Sequence, residues 1–322
     1  MRRPSLTTLG ALAAAAGAAL VCRADLRTAQ SRLDAPSAAE VRLLELGRAT
    51  VEYADRGSGP AVLVLHGNGG GWDQGLDWAG RRLGDGHRVL AVSRFGYLGS
   101  TMPPCATTAD QADVLAELLD SLGIDRADVV TLSAGSAAGL QFAIRHPARV
   151  RSLVLEAPAV PSPAPRVPPE PVLRALLRGE FLFWLLTRYP PLVAPMVGAD
   201  SWHRLPDEDK RELAEIMATT LPMRPRIDGV VFDSYVAIPE VCAGHLDWDA
   251  VRAPTLLITA EDSIVPRPSD AAALVERMPD ARLLILPTGG HTLLGNVAEL
   301  RRSYAGFLSS VESGPAAGRP SG

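Results

Sequence analysis

The sequence predicts an α/β protein: a doubly wound, mostly parallel sheet of eight strands with a helical cap inserted between two of them. Two observations carry that expectation. Short apolar runs bounded by turn residues alternate with segments whose leucines recur at the helical period, as strand–helix–strand units require. The alternation then breaks once, at a proline-dense stretch from Pro158 to Pro171, and resumes near Thr255.

The elements follow in order. Arg2 and Arg3 precede an uncharged run from Leu6 to Cys22, so residues 1–24 are expected to be a secretory signal or a signal anchor, with Ala16-Gly17-Ala18 as a small-residue cleavage site. On that reading the protein is anchored to a membrane through its N-terminus, or exported if the signal is cleaved. Cys22 is a poor lipid-attachment site because the branched Val21 precedes it. Residues 25–40 are polar and helix-prone and read as a linker. Val41–Glu45 and Ala49–Tyr53 read as strands closed by the turn-forming residues Asp55 to Pro60. Ala61–Leu65 is continuously apolar, as a buried parallel strand would be, and ends in His66-Gly67. A strand at Arg88–Ser93 precedes a helix over 109–122, where Leu115, Leu118, Leu119 and Leu122 share a face.

Val129–Leu132 and Leu153–Leu155 are strands around a helix at Gly135–Arg145. Strand signals return at Thr255–Thr259 and Arg282–Leu286, with a helix between them and a last helix over Leu294–Ser309. Residues 41–158 and 249–310 therefore form the core and 159–248 the helical cap. Residues 311–322, rich in glycine, proline and serine, are an expected disordered tail.

Composition narrows the function classes. The chain has 322 residues, 47% of them hydrophobic, and a net charge of −4. Such a balance leaves no clustered basic footprint for nucleic acid. The three cysteines show no metal-ligand spacing; Cys105 and Cys242 are either two free thiols or a disulfide in an oxidising compartment. No histidine pair has the helical spacing of a zinc site, and no Gly-Lys-Ser/Thr follows the Gly67–Gly71 loop. Neither a metal nor a cofactor is expected. Oligomeric state is not legible.

Chemistry is concentrated at three strand ends. Val129 to Leu132 runs into Ser133-Ala134-Gly135 and then a helix, the context in which a strained turn lifts a serine hydroxyl above a sheet. Taken alone, Ser133 could equally be a helix N-cap. Asp262 follows the strand at 255–259, and His291 follows the last strand behind Gly289 and Gly290. These ends are where open α/β sheets bind ligands, and the order Ser, Asp, His is that of one serine-hydrolase arrangement. Glu261 and Glu156 are the fallback acids. His66 reads as a brace for its loop, and Trp72, Asp73 and Gln74 either line a pocket floor or simply begin a helix.

From about residue 41 to 310 the chain resembles the α/β-hydrolase fold superfamily. His66-Gly67-Asn68-Gly69-Gly70-Gly71 is similar to its oxyanion loop, Ser93 to Ser100 to its segment after strand four, and Gln141 to Pro147 to its helix after the nucleophile. Three departures stand out: Thr131 replaces the usual elbow glycine, Ser93 replaces an aspartate and Leu98 replaces a glycine. The resemblance implies a serine hydrolase with Ser133 as nucleophile, His291 as general base and Asp262 orienting the imidazole. The oxyanion would be held by the backbone N–H groups of Asn68 and Ala134, with Gly69 next in line. A carboxylic ester or related acyl bond is the expected target. The alternatives are a non-catalytic ligand-binding protein on the same fold, or a cofactor-free C–C hydrolase or perhydrolase using the same triad. The cap's Phe181, Phe183, Trp184, Leu185, Leu186, Trp202, Phe232, Tyr235 and Trp248 either roof a pocket for a lipophilic ester or form the cap's own core.

Overall fold

The computed structural model describes residues 6–34, 40–189, 203 and 205–313. The expected disordered tail, apart from 311–313, and Trp202 of the cap lie outside the described residues. Eight strands form one sheet: β1 (Glu40–Glu45), β2 (Thr50–Gly57), β3 (Ala61–Leu65), β4 (Arg88–Val92), β5 (Ala127–Leu132), β6 (Val150–Glu156), β7 (Thr255–Ala260) and β8 (Ala281–Leu286). Their spatial order is β1-β2-β4-β3-β5-β6-β7-β8. Only β2 runs antiparallel to its neighbours, through a hairpin with β1 and a ladder with β4; all other pairs are parallel.

Alternating side chains feed two cores. Leu63, Leu65, Val129 and Leu153 face one layer, while Val62, Val64, Val130 and Val154 face the other, all at most 2% exposed. Both faces of the central strands are thus covered, which is why β3 and β5 read as unbroken apolar runs. The first layer is closed by α3 (Thr108–Ser121) and α4 (Gly135–Arg145), and the second by α2 (Trp72–Arg82) and the C-terminal helix (Val297–Glu312). Burying each such Leu or Val contributes about 1.5–3 kcal/mol. Thr107 and Asp110 form a reciprocal capping box that sets the start of α3.

Between β6 and β7 lie the helical segments α5 (Glu170–Arg178), α6 (Glu180–Arg188) and α7 (Asp207–Ala218), then a continuous run from Ile227 to Ala243 that contains a π-helical turn at Asp233–Ala237. The last helix starts three residues later than its leucine pattern predicts. Residues up to Asn296 are consumed by the loop carrying His291, whose 3-10 turn spans Gly290–Thr292.

At the N-terminus Leu6–Asp34 is one helix, α1, so the helix-prone segment expected after residue 24 is helical from 25 to 34. No described helix is long and apolar enough to cross a membrane: the uncharged run stops at Cys22, and Arg23, Asp25 and Arg27 follow in the same helix. The second half of α1 is bound to the cap. Cys22 and Ala29 are buried against Trp184 and Leu221. Asp25 accepts from the Trp184 indole and the Arg188 guanidinium, each at 2.6 Å, and Arg32 donates to the Ala218 carbonyl at 2.7 Å. Cys22, Cys105 and Cys242 are all free thiols.

Candidate active site

Ser133 sits between β5 and α4 with φ +47°, a left-handed conformation that a serine adopts only when its surroundings force it. The turn is tight because the backbones approach closely. A Cβ on Gly135 would lie 2.4 Å from the Leu65 carbonyl oxygen and 2.6 Å from that of His66, so only glycine fits there. Thr131, standing where the family pattern has glycine, is fully buried and donates to the Val154 carbonyl at 3.2 Å. Its bulk is absorbed across the seam: a Cβ on Gly139 of α4 would meet the Thr131 Cγ2 at 2.3 Å. The missing elbow glycine is therefore offset by a glycine one helix turn into α4.

The Ser133 Oγ lies 2.9 Å from the Nε2 of His291. The other ring nitrogen, Nδ1, lies 2.5 Å from the Val265 carbonyl oxygen. A carbonyl can only accept, so Nδ1 carries the proton and Nε2 is bare toward the serine hydroxyl. That is the tautomer a general base needs. Burial pushes the His291 imidazole below the ordinary histidine value, opposed by the Val265 carbonyl and the Glu156 carboxylate. Asp262 accepts from Gly290 N–H at 2.8 Å and from Gly289 N–H at 3.3 Å, so its carboxylate grips the loop immediately before the histidine.

A cavity of about 150 Å³ opens beside this pair. Its walls include Asn68, Gln74, Trp78, Leu132, Glu156 and Ile216. Asn68 thus stands beside Ser133, and Ala134 occupies the N-cap of α4, where helix N–H groups point outward. The Gly69 N–H is directed at the Tyr97 hydroxyl at 3.4 Å. Among the described residues no three His, Cys, Asp or Glu side chains gather so as to hold a metal ion.

The loop bearing Asn68 is held from beneath. The Arg94 backbone N–H donates to Nε2 of His66 at 3.0 Å, so Nδ1 carries the proton and donates to the Gly67 carbonyl at 2.7 Å. Burial and the Arg94 charge hold His66 well below the usual imidazole range, so it is a neutral brace. Arg94 donates from Nε to the His66 carbonyl and grips Asp233 of the cap with both terminal nitrogens at 2.6 Å. The Tyr97 hydroxyl donates to the same Asp233. A second buried pair joins Arg226 of the cap to Asp73, again through two contacts, at 2.8 and 3.1 Å. Of the three residues at the start of α2, Gln74 lines the cavity, Trp72 enters the core and Asp73 anchors the cap. Ser93 keeps its loop in place by accepting from Trp72 N–H and donating to Glu52, a carboxylate supplied by β2.

Sequence reasoning missed two parts of this arrangement. The Arg94–Asp233 and Asp73–Arg226 pairs join residues far apart in the chain, and no local spacing betrays them. It also gave no sign of Ile216 of α7, which contributes to the cavity. Of the cap residues for which a pocket roof and a core were both open, Phe181 and Leu185 are exposed, Phe183 packs in the cap's own cluster and Trp184 packs on α1. Phe232 and Trp248 belong to the main core.

Comparison with known proteins agrees with this fold. Residues 60–295 match the alpha/beta hydrolase fold family. A 2-hydroxy-6-oxononadienedioate/2-hydroxy-6-oxononatrienedioate hydrolase from Burkholderia vietnamiensis is 30% identical over 75% of this chain and 84% of its own length. A homoserine O-succinyltransferase from Xanthomonas campestris is 50% identical, but over 26% of this chain and 23% of the transferase. The match to a 2-hydroxy-6-oxo-6-phenylhexa-2,4-dienoate hydrolase from Comamonas testosteroni, 32% identical, likewise covers 37% of this chain and 44% of that enzyme. In the solved structure of an α/β hydrolase fold protein from Nakamurella multipartita, 26% identical, the likeness covers 84% of this chain and 99% of the other, with a TM-score of 0.65. The chain belongs to the α/β-hydrolase fold family.

Proposed function

We propose that this protein is a serine hydrolase that cleaves a carboxylic ester, or a related acyl bond, through an acyl-enzyme on Ser133. The observation that carries the reading is the Ser133–His291 contact at 2.9 Å, with the imidazole tautomer set by the Val265 carbonyl. Ser133 Oγ attacks the substrate carbonyl while Nε2 of His291 takes its proton. The imidazolium then returns that proton to the leaving group. Asp262 keeps the His291 loop in register, and the N–H groups of Asn68 and Ala134 receive the oxyanion. Preorganised donors of this kind are worth about 10²–10³ in rate each. A cavity of about 150 Å³, walled by Trp78, Leu132 and Ile216, favours an acyl group of a few carbons over a long lipid chain.

A second reading, hydrolysis of a C–C bond next to a carbonyl, is favoured by the long match to the Burkholderia vietnamiensis hydrolase. It uses the same serine and histidine. The test is treatment of wild type and Ser133→Ala with a fluorophosphonate, followed by intact mass. One adduct on wild type and none on the variant is expected. An unlabelled, folded wild type overturns the serine-hydrolase reading. Turnover of short-chain aryl esters but not of a vinylogous 1,5-diketone would then separate ester from C–C cleavage.

A further inference from the structure

The loop that carries Asn68 is tied to the cap on both sides of that residue. On one side the Gly67 N–H donates to Gln74 Oε1 at 2.9 Å. A backbone N–H can only donate, so the amide oxygen of Gln74 is fixed toward Gly67 and its NH2 group faces the other way. There Nε2 donates to Thr219 Oγ1 at 3.2 Å, and the Thr219 hydroxyl gives its own proton to the Ile216 carbonyl at 2.6 Å. Every donor and acceptor is thus assigned, from Gly67 through Gln74 to the last turn of α7. Gln74 and Thr219 are both buried, and the amide is closely seated: a Cβ on Gly70 would lie 2.4 Å from Oε1. On the other side the Gly69 N–H is directed at the Tyr97 hydroxyl, which donates to Asp233 of the cap. The Gly70 N–H closes a turn on the Gly67 carbonyl at 3.2 Å. Between them, the Asn68 N–H donates to none of the described residues, and Asn68 lines the cavity beside Ser133.

We propose that Gln74 is a positioning residue for acyl transfer: it carries the placement of the cap, taken at Thr219, to the Gly67 peptide and so aims the Asn68 N–H at the oxyanion. The inference rests on the Ser133–His291 reading above. The loop lies close enough to the nucleophile for a small error to matter, since a Cβ on Gly67 would lie 3.5 Å from that of Ser133. A misplacement of about 1 Å in such a group costs about 10²-fold in rate. Thr219 is what keeps the amide in place. Without that acceptor Gln74 would hold a buried N–H unpaired, at a cost of about 1–3 kcal/mol, and would turn away from Gly67 to pair it. One turn of the cap therefore has two functions. Ile216 bounds the space for the acyl group, and Thr219 sets the loop that receives its charge.

The probe is a short-chain alkyl fluorophosphonate, with labelling of Ser133 followed over time and concentration to separate the rate kinact from the binding constant KI. Thr219→Val removes the acceptor and keeps the branched shape. Its kinact should fall by about tenfold while KI changes by less than about twofold, because the lost contact acts only in the transition state. Thr219→Ser keeps the hydroxyl and should recover most of that rate. Gln74→Met removes the whole relay and should lower kinact by about 10²-fold. Both changes act through one path, so the double variant should be no slower than Gln74→Met alone. A wall residue with no hold on the loop predicts the opposite split, with KI raised and kinact unchanged. That split, or a Thr219→Ser as slow as Thr219→Val, overturns the proposal while leaving the serine-hydrolase reading intact. So does a Thr219→Val that labels as fast as wild type. If Gln74→Met does not fold, the two Thr219 variants decide by the same criteria. A wild type that takes no label overturns both readings.

Discussion

The elbow and the cap are fastened to the same sheet by opposite means. Around Ser133 the attachment is apolar and close: buried strands meet α4 through glycines, and Thr131 of β5 fits into the space left by Gly139. At the cap the attachment is charged. Two bidentate pairs, Arg94–Asp233 and Asp73–Arg226, cross a seam where all four side chains are at most 8% exposed. Apolar packing stabilises through area removed from water and is sensitive to volume. A buried ion pair adds little net stability, yet it is expensive to break because one charge is left without a partner. The core is therefore built to resist changes of size and the cap seam to resist changes of charge. The seam also reaches the candidate site, since Arg94 touches both Asp233 and the carbonyl of His66, which precedes Gly67 and Asn68 on the cavity wall.

The sharpest break is at the elbow itself. Ser133→Ala should leave folding intact and lower turnover by about 10⁴-fold or more, measured as kcat on an activated ester. Wild-type activity also carries a pH signature. Because burial holds His291 below its ordinary value, the imidazole stays neutral to lower pH than an ordinary histidine does. The acid limb should thus fall below the usual histidine range; a limb above pH 7 would contradict the placement.

At the seam, Asp233→Ala should cost about 3–5 kcal/mol in denaturant unfolding by stranding the Arg94 charge. The same change should slow serine labelling, because Arg94 also positions the oxyanion loop. A loss under 1 kcal/mol would mean that the pair is solvated in solution.

The volume rule is tested by Gly139→Ala, which places a methyl against Thr131. A loss of about 1–3 kcal/mol is expected, and Thr131→Ala in the same chain should recover part of it. Additive losses in the double variant would show that the two residues do not share that space. The smallest effect is expected where charge lies at the surface. Arg188→Ala, which removes the half-exposed partner of Asp25 and leaves the Trp184 indole bond in place, should change stability by less than about 1 kcal/mol. A larger loss would place the attachment of α1 to the cap among the main stabilising contacts.

How much of this was written in the residue pattern differs between the two regions for the same reason. Core strands are regular, so their alternation and runs of Val, Leu and Ile announce them. Ser133, Asp262 and His291 could be found because each sits just past such a strand. In α1 the uncharged alanine- and leucine-rich run is legible in the sequence, whereas the docking of its charged half on Trp184 and Ala218 is not. The cap's aromatic residues left roof and core both open, because aromatic residues in a helical insertion carry no label saying which way they face.

By itself the sequence determined the sheet, the order of its strands along the chain and the three strand ends that carry the candidate residues Ser133, Asp262 and His291; local periodicity and turn chemistry are short-range properties, legible residue by residue. Only the tertiary structure decided that the Val265 carbonyl sets the tautomer of His291, that Gly139 makes room for Thr131, that Asp233 and Arg226 pair with Arg94 and Asp73, and that Glu156 lines the cavity. Those contacts join positions up to more than a hundred residues apart. They depend on where helices land on a twisted sheet, which no spacing in the chain encodes.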